Sequence, residues 1–334
     1  MRKRLMDYGV HIGRFSRGKR NLISDVPGVK VGNCTLISDT PHVYRTGITA
    51  ILPHEGCIYN DRVVASSFVL NGYGKSTGLV QVEELGLIET PILITSTLNV
   101  GKVWDGLISY VLGHVPDAKS INPVVMECND GRVNEAEYRP LGEKEVFLAI
   151  EGASEDFSLG NVGAGTGMVT FGFKGGLGSA SRIVDSYTVG ALVVSNFGRK
   201  EDLLGVVEGQ AEIGSIIVVI ATDAPLTARQ LKRIARRGAL GIAKAGGYAT
   251  HGSGDIVLAF STAHRIPRKA EAPIDIKVIP DDTKLFQKLL DASVEVVWEA
   301  IYDALLASED MVGRDGKVWK AVDPDVILKK VRCI

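Results

Sequence analysis

Hydrophobic residues in the first two thirds of the chain occur mainly in short runs that end at Gly, Pro or Asn. Runs of this length with these boundaries are typical of β-strands. The strands predicted from them are Ile92–Thr95, Val124–Met126, Val146–Ile150 and Ala191–Ser195. Two other stretches, Glu83–Leu87 and Val103–Leu112, are predicted to be helical. In the second, apolar residues at helical spacing share one face: Val103, Leu107, Ile108 and Val111.

The last third of the chain alternates strand and helix patterns more clearly. Ile216–Ala221 is apolar at every position, which predicts a central strand covered on both faces. Thr227 and Gln230 form a capping box, which predicts a helix that ends near Gly246. A further strand and a long helix follow, and the resulting order fits a layered α/β sandwich. The strand is predicted at Ile256–Phe260 and the long helix at Thr283–Leu306. The apolar face of the capped helix is predicted to consist of Leu231, Ile234, Ala235 and Ile242.

Length and charge narrow the class of protein. A chain of 334 residues with 45% hydrophobic content can bury a large core, and no repeat or low-complexity linker divides it, so one domain over residues 1–334 is predicted. The 38 basic and 39 acidic residues nearly cancel, which argues against a nucleic-acid partner. The basic start MRKRLMDYGVHIG has no apolar stretch after it, so we expect no membrane partner and a cytoplasmic location.

Cysteines and histidines do not form a metal motif. Cys34, Cys57, Cys128 and Cys333 are far apart in sequence and are predicted to be free thiols. Cys128 would need a nearby base to act as a nucleophile, and the sequence does not show one. The six histidines are scattered, and no metal site is predicted.

Two glycine-rich stretches could resemble a phosphate cradle. They are GAGTG at 163–167 and GFKGG at 172–176. Neither has the Gly-Lys-Ser/Thr ending of a P-loop or the spacing of a dinucleotide fingerprint. Close backbone packing is the better explanation, and no cofactor is expected.

The candidate chemistry centres on Gly214 and Ser215, at the start of GSIIVVIATDAP. If the bond between them were cut, Ser215 would carry a hydroxyl nucleophile and an α-amine that serves as its base, because an α-amine has a pKa of about 7.7–8.0. Gly214 suits such a cut, since a residue without Cβ allows close approach to its carbonyl. A Gly-Ser dipeptide taken alone is more often simply the start of a buried strand.

Several longer motifs occur in one order along the chain: SDVPGVKVGN, TGITAILP, NGYGKSTGLVQVEELG, GNVGAGTGM, GFKGGLGSASR, GSIIVVIATDAP and HGSGDIVLAFST. Together they make the chain resemble the DmpA-like family of L-aminopeptidase/D-amidase-esterases and β-peptidyl aminopeptidases. The resemblance implies a four-layer α/β/β/α sandwich like that of N-terminal-nucleophile hydrolases and ornithine acetyltransferases. It also implies a precursor cut into an α subunit, 1–214, and a β subunit, 215–334.

The resemblance assigns roles to individual residues. It makes Ser215 the nucleophile, Asn196 of VVSNFG the oxyanion donor, and Ser253 and Asp255 of HGSGD the groups beside the new amine. The family usually has Glu where Asp255 stands, and the Asp side chain is shorter in reach by one methylene. Without the resemblance, Asn196 could simply close a strand and HGSGD could be a turn held by local bonds.

Substrate recognition is expected at Glu127, in VVMECNDG, which matches the family residue that binds the substrate's free amino group. By position alone a solvent-facing glutamate at a strand end is equally compatible. Asn129 stands where relatives carry an aromatic residue, and Lys75 where they carry an acidic one. Both departures leave the side-chain preference open.

The function expected from the resemblance is a self-processing aminopeptidase that acts on short peptides, amides or esters through an acyl-enzyme. An acyltransferase of the ornithine acetyltransferase type is one alternative, although those enzymes usually present Thr at the cut. An uncut relative that acts as a binding protein is another. The family resemblance also implies a homo-oligomer, a tetramer of cut heterodimers.

Overall fold

A computed structural model describes residues 2–204 and 214–332. The strands are β1 (Lys30–Ser38), β2 (Tyr44–Leu52), β3 (Asp61–Gly72), β4 (Leu87–Ile88), β5 (Ile92–Ser96), β6 (Val124–Cys128), β7 (Val169–Thr170), β8 (Phe173–Lys174), β9 (Gly176–Val184), β10 (Tyr187–Asn196), β11 (Ser215–Thr222), β12 (Gly254–Pro267), β13 (Met311–Val312) and β14 (Val318–Trp319). The helices are α1 (Leu79–Leu85), α2 (Val100–His114), α3 (Glu143–Glu151), α4 (Lys200–Leu204), α5 (Ala228–Ala245), α6 (Lys284–Leu306) and α7 (Pro324–Arg332).

Within the described ranges, two large sheets organise the fold. One has the order β1-β2-β5-β6 and the other the order β4-β3-β12-β11-β10-β9. The pairs β5/β6 and β11/β12 are parallel, and the other neighbours within these sheets are antiparallel. Each parallel pair is joined by a crossover that contains a helix, α2 in the first sheet and α5 in the second.

Alternating side chains place the two sheets face to face between two helical layers. On β11, Ile217 and Val219 belong to a core shared with Ile94 of β5, whereas Ile216 and Val218 belong to the core under α5 and α6. On the opposite face of the first sheet, Leu93 packs with α2 and α3. The predicted four-layer α/β/β/α order is therefore confirmed.

The central strand is β11. All its residues are buried, as predicted from its unbroken apolar run. Fully burying an Ile or Val side chain stabilises the fold by about 1.5–3 kcal/mol. The strand is therefore firmly held, and with it Ser215, its first residue.

Helix ends after Ser215 follow the predicted signals. The Thr227 hydroxyl accepts from the Gln230 N–H while the Gln230 side chain accepts from the Thr227 N–H, so the capping box is confirmed. Gly246 ends α5 in a left-handed conformation with φ 111. Thr283 caps α6, which otherwise matches the predicted long helix.

Two predictions in the first half of the chain need correction. The strand predicted at Val146–Ile150 is wrong, because these residues lie in α3 and present Val146, Ala149 and Ile150 as a buried helical face. A short apolar run does not distinguish a strand from a buried helix by periodicity alone. The helix predicted at Glu83–Leu87 ends at Leu85, since Gly86 adopts a left-handed φ of 68 and the chain continues into β4.

Cys34, Cys57 and Cys128 are free thiols, as predicted, whereas Cys333 lies outside the described residues. Among the described helices none is long and apolar enough to span a membrane.

Candidate active site

Ser215 lies where the ends of three strands meet. It is opposite Asn196, the last residue of β10, and opposite Gly254, the first residue of β12. The Ser215 Oγ accepts a hydrogen bond of 3.1 Å from the Gly254 N–H. The residue is 6% exposed, so strand register and one backbone bond hold the hydroxyl at this sheet edge.

Gly214 precedes β11 in a crowded backbone position. A Cβ at this residue would lie 2.3 Å from the Asn196 carbonyl oxygen and 2.8 Å from the Phe197 Cα. Its φ is outside the left-handed range, so close approach, and not left-handed strain, requires glycine here.

Ser253 and Asp255 flank the start of β12 and contact each other. The Ser253 hydroxyl donates to Asp255 Oδ1 at 2.7 Å. Burial raises the pKa of Asp255 to about 6, and the Ser253 hydroxyl and the nearby Ile216 N–H offset this only in part. Oδ2 is buried and has no hydrogen bond of normal geometry in the described part of the chain. Oδ2 of Asp255 can therefore accept a hydrogen bond from a group beside the first residues of β11.

Asn71 holds the HGSGD turn from the neighbouring strand, a role that sequence analysis missed. It is the penultimate residue of β3, opposite Asp255, and its amide donates to the carbonyls of Thr250, at 3.0 Å, and of Ser253. The only sequence signal was its place inside the NGYGKSTG motif.

The Asn196 amide has a fixed orientation. Its Oδ1 accepts from the Val169 N–H at 2.9 Å, and its Nδ2 donates to the Asn129 carbonyl at 2.9 Å. An amide nitrogen carries two hydrogens, so a second N–H is available to a charge that develops beside Ser215.

Lys174 stands behind Asn196, and sequence analysis did not identify it. Its fully buried ammonium donates to the carbonyls of Met168, at 2.8 Å, and Gly175, at 2.6 Å, with the Gly165 carbonyl at 3.4 Å. Burial lowers the pKa of Lys174 to about 7, while three acceptors favour the ammonium form. The peptide from Met168 to Val169 therefore accepts from Lys174 and donates to Asn196, which ties the glycine-rich segment to the candidate oxyanion donor.

The glycine-rich stretches serve close packing, as expected. A Cβ on Gly165 would lie 2.3 Å from the Leu177 nitrogen, and one on Gly175 would lie 2.6 Å from the Ser195 carbonyl oxygen. This backbone surrounds Lys174 and leaves little room between the segments.

Glu127 comes from the other sheet, near the end of β6. It is 3% exposed, and its Oε1 accepts from the Lys75 N–H at 2.8 Å. Burial raises the pKa of the Glu127 carboxyl, while the Lys75 backbone, the Lys75 ammonium and the Thr97 hydroxyl oppose this rise. The alternative of a solvent-facing glutamate is therefore wrong.

A cavity of about 350 Å³ is lined by residues from both sheets. Its lining includes the predicted residues Ser215, Gly214, Glu127 and Asn129, together with Tyr73, Lys75, Thr97, Gly131, Arg132 and Gly252. Asn129 is exposed at this cavity, and its Oδ1 accepts from the Gly131 N–H at 2.9 Å. The volume suits a small ligand.

Cys128 lies next to Glu127 but is fully buried. Its thiol contacts the Val194 carbonyl at 3.5 Å, and burial raises the pKa of the thiol well above its usual range. It is therefore a neutral core residue and not a competing nucleophile. No group of His, Cys, Asp and Glu residues within 2–204 and 214–332 could hold a metal ion.

Known proteins are similar to this chain over nearly its whole length. The model of peptidase family S58 matches residues 21–319. The beta-peptidyl aminopeptidase BapA of Sphingosinicella xenopeptidilytica is 38% identical over 341 residues, which cover 90% of this chain and 85% of that protein.

Solved structures are similar over the same length. A protein from Pyrococcus horikoshii OT3 is 48% identical, with a TM-score of 0.93 and coverage of 99% of both chains. The L-aminopeptidase D-Ala-esterase/amidase of Ochrobactrum anthropi is 34% identical, with a TM-score of 0.89 and coverage of 99% of this chain and 98% of that one. It is described as a variant of the Ntn hydrolase fold, which confirms the predicted fold.

Proposed function

Because the chain belongs to peptidase family S58, a family of serine N-terminal-nucleophile peptidases, we propose that it uses Ser215 as its nucleophile. It cuts its own Gly214–Ser215 bond and then removes N-terminal residues from short peptides, amides or esters that carry a free amino group. The observation that carries this proposal is one cavity bounded by Ser215 at a strand start and by the buried carboxylate of Glu127.

Processing begins with attack of Ser215 Oγ on the carbonyl carbon of Gly214. A C–O bond forms, the C–N bond breaks, and the hydroxyl proton ends on the released amine. Water then hydrolyses the ester, leaving a carboxylate on Gly214 and an α-amine on Ser215. The crowding around Gly214 supports this step, since it holds the carbonyl near the sheet edge that carries the hydroxyl.

Turnover uses the groups that processing creates. The α-amine of Ser215 takes the hydroxyl proton as Oγ attacks the substrate carbonyl, and it returns that proton to the leaving amine. The free N–H of Asn196 donates to the oxyanion. Ser253 and Asp255 bind the ammonium form, and Asp255 Oδ2, which lacks a normal hydrogen bond among the described residues, is the acceptor it uses.

Glu127 selects the free amino group of the substrate. A buried carboxylate is costly unless it is paired, and a substrate ammonium supplies the missing charge. The names of similar proteins include beta-peptidyl aminopeptidase and L-aminopeptidase, so N-terminal residues with either an α- or a β-amino group are candidates for this site.

The proposal is tested by comparing a free peptide with its N-acetylated form in the same assay. The free peptide should be hydrolysed and the acetylated peptide should not, because acetylation removes the charge that pairs with Glu127. Comparable turnover of the two would contradict an aminopeptidase and would favour the general amidase or the acyltransferase. Transfer of the acyl group to an added amine in preference to water would identify the acyltransferase.

We also propose a homo-oligomer of cut heterodimers, because closed homo-oligomers are the commonest assemblies. Light scattering that gives the 35.8 kDa of a single chain would contradict this. A cytoplasmic location is proposed because Cys34, Cys57 and Cys128 are free thiols, and cell fractionation tests it.

A further inference from the structure

The carboxylate proposed to bind the substrate ammonium already has a cation beside it. The Lys75 Nζ lies 3.9 Å from Glu127 Oε1, and it donates to the Thr97 hydroxyl at 2.9 Å. The side chain of Lys75 is 62% exposed, whereas that of Glu127 is 3% exposed. The cavity wall therefore carries a negative and a positive group next to each other, and the positive group faces the open space.

The position of Lys75 is set by the backbone. The Gly74 Cα lies against Gly254, where a Cβ added to Gly254 would come within 3.0 Å of it. The Lys75 N–H is bonded to Glu127 itself, and the Thr77 N–H donates to the Val125 carbonyl on β6 at 2.9 Å. The loop after β3 thus connects the β12 edge, which carries Ser253, to the strand that carries Glu127, and it brings Lys75 to the cavity.

The contact between Lys75 and Glu127 does not satisfy the lysine. A separation of 3.9 Å is too long for a direct hydrogen bond, and the ammonium has three hydrogens, of which Thr97 takes one. Within 2–204 and 214–332 Thr97 is the only hydrogen-bond acceptor of the Lys75 ammonium, so its two remaining hydrogens are available to a ligand. An ion pair this long on an exposed side chain contributes little to stability, so folding alone gives little reason for a lysine here.

We propose that Lys75 is a carboxylate subsite, so that the enzyme favours peptides whose N-terminal residue carries a carboxylate close to its ammonium. Aspartyl peptides, linked through the α- or the β-carbonyl, are the substrate class with this group. The inference rests on the proposed function of Glu127 and Ser215, since it concerns the same cavity.

Charge alternation explains the preference. With the substrate ammonium on Glu127 and its carboxylate on Lys75, four charges alternate in sign around a closed ring. The 3.9 Å between Nζ and Oε1 leaves each substrate group within hydrogen-bond reach of its partner, provided that the two groups are on the same or adjacent carbons. Such an arrangement discriminates against a neutral residue, which leaves Lys75 without a second acceptor.

A competing explanation makes Lys75 only a counter-ion that every substrate ammonium must displace. The two explanations predict opposite behaviour of Lys75→Met. As a counter-ion, its removal should improve all free-amine substrates by the same factor. As a carboxylate subsite, its removal should harm aspartyl peptides relative to neutral ones of the same shape.

The experiment measures kcat/KM for aspartyl-leucine and asparaginyl-leucine in both the α and the β linkage, with alanyl-leucine as a neutral reference. In the linkage that is cut faster, the wild-type enzyme should prefer the carboxylate over the amide, and Lys75→Met should lower this ratio about tenfold. Lys75→Arg should keep most of the ratio, because it keeps the charge. Lys102→Met, an exposed lysine bonded to the Arg139 carbonyl, is the matched control and should leave the ratio unchanged.

Salt dependence of the wild-type enzyme gives a second measurement that needs no variant. The KM of the aspartyl peptide should rise with ionic strength more than that of the asparaginyl peptide. An equal ratio in wild type and Lys75→Met, or equal salt dependence of the two peptides, would overturn the inference while cleavage of alanyl-leucine still upholds the proposed function. Failure of the processed enzyme to cut any free-amine peptide would instead overturn the proposed function.

Discussion

The two sides of the cavity are built in different ways. On the nucleophile side Ser215 lines the cavity, and Asn196, Ser253 and Asp255 lie next to it at the ends of neighbouring strands of the six-stranded sheet. All four residues are almost fully buried. The recognition side is Lys75 in the loop after β3, Thr97 after β5, Glu127 within β6 and Asn129 directly after β6. Strand register sets the first group, whereas the second group includes the exposed side chains of Lys75 and Asn129.

This difference indicates where the chain can vary. A change on the nucleophile side must fit a packed sheet edge, where even Gly214 has no room for a Cβ. The family resemblance marks Lys75 and Asn129 as departures with a large change in side-chain chemistry, and both lie on the recognition side. It marks Asp255, on the nucleophile side, as a departure of one methylene. We therefore expect the nucleophile side to determine whether chemistry occurs and the recognition side to determine which substrate is used.

Ser215→Ala should give the largest effect, because it removes the nucleophile for both processing and turnover. The variant should stay a single chain and lose activity by a factor of about 10⁴ or more. Ser215→Cys should still cut itself, since a thiolate is an intrinsically strong nucleophile. Mass spectrometry and peptide assays check both variants, and normal turnover by an uncut Ala variant would remove Ser215 from the mechanism.

Asn196→Ala should give the second-largest loss of activity, because the variant lacks the oxyanion donor. We expect kcat to fall by about 10²–10³, with a smaller change in KM. The matched control is Asn161→Ala, at a half-buried asparagine whose amide donates to the Glu309 carbonyl away from the cavity. A loss confined to KM would place Asn196 on the recognition side and break the comparison.

Glu127→Gln should separate the two sides most clearly. Replacing the carboxylate by a neutral amide should raise KM for free-amine peptides by about 10–100-fold, because the ammonium loses its partner. Cutting of the Gly214–Ser215 bond should keep its rate, since that bond presents no ammonium. Glu137→Gln, at an exposed residue paired with Arg314, is the control and should change neither quantity. Equal loss of processing and turnover would show that Glu127 acts on the chemistry.

The pH dependence of processing should give the smallest effect. The pKa of about 6 means that Asp255 is mostly ionised above pH 6 and mostly protonated below it. A protonated Asp255 no longer stabilises the ammonium that forms on Ser215 as the bond is cut, so the rate of self-cleavage should fall about tenfold per pH unit below the pKa. Stopped time courses on gels measure this rate. If the rate of self-cleavage still falls at low pH in Asp255→Asn, the titration belongs to another group.

The sequence predicted most of the fold because burial pattern and helix caps are local signals. The unbroken apolar run at Ile216–Ala221 requires cover on both faces, and the Thr227–Gln230 capping box carries its own hydrogen bonds. Val146–Ile150 was predicted wrongly because five apolar residues in a row hide the helical periodicity that the burial of α3 reveals. Gly86 ended α1 early through a left-handed φ that pattern alone does not specify.

The site was less predictable, because its contacts join residues that are distant in sequence. Family motifs indicate Ser215, Asn196 and Glu127, and the structure places Ser215 and Glu127 on one cavity with Asn196 opposite Ser215 in the sheet. Nothing local predicted that Lys174 would hold the peptide that orients Asn196, or that Asn71 would hold the HGSGD turn. Those roles depend on sheet order, which no short motif contains.

The most direct test of the account is N-terminal sequencing and intact-mass measurement of the purified protein that hydrolyses free-amine peptides. The account predicts two fragments with about two thirds and one third of the 35.8 kDa chain, the smaller beginning at Ser215. Active protein that contains only the uncut chain, with no N-terminus at Ser215, would contradict it.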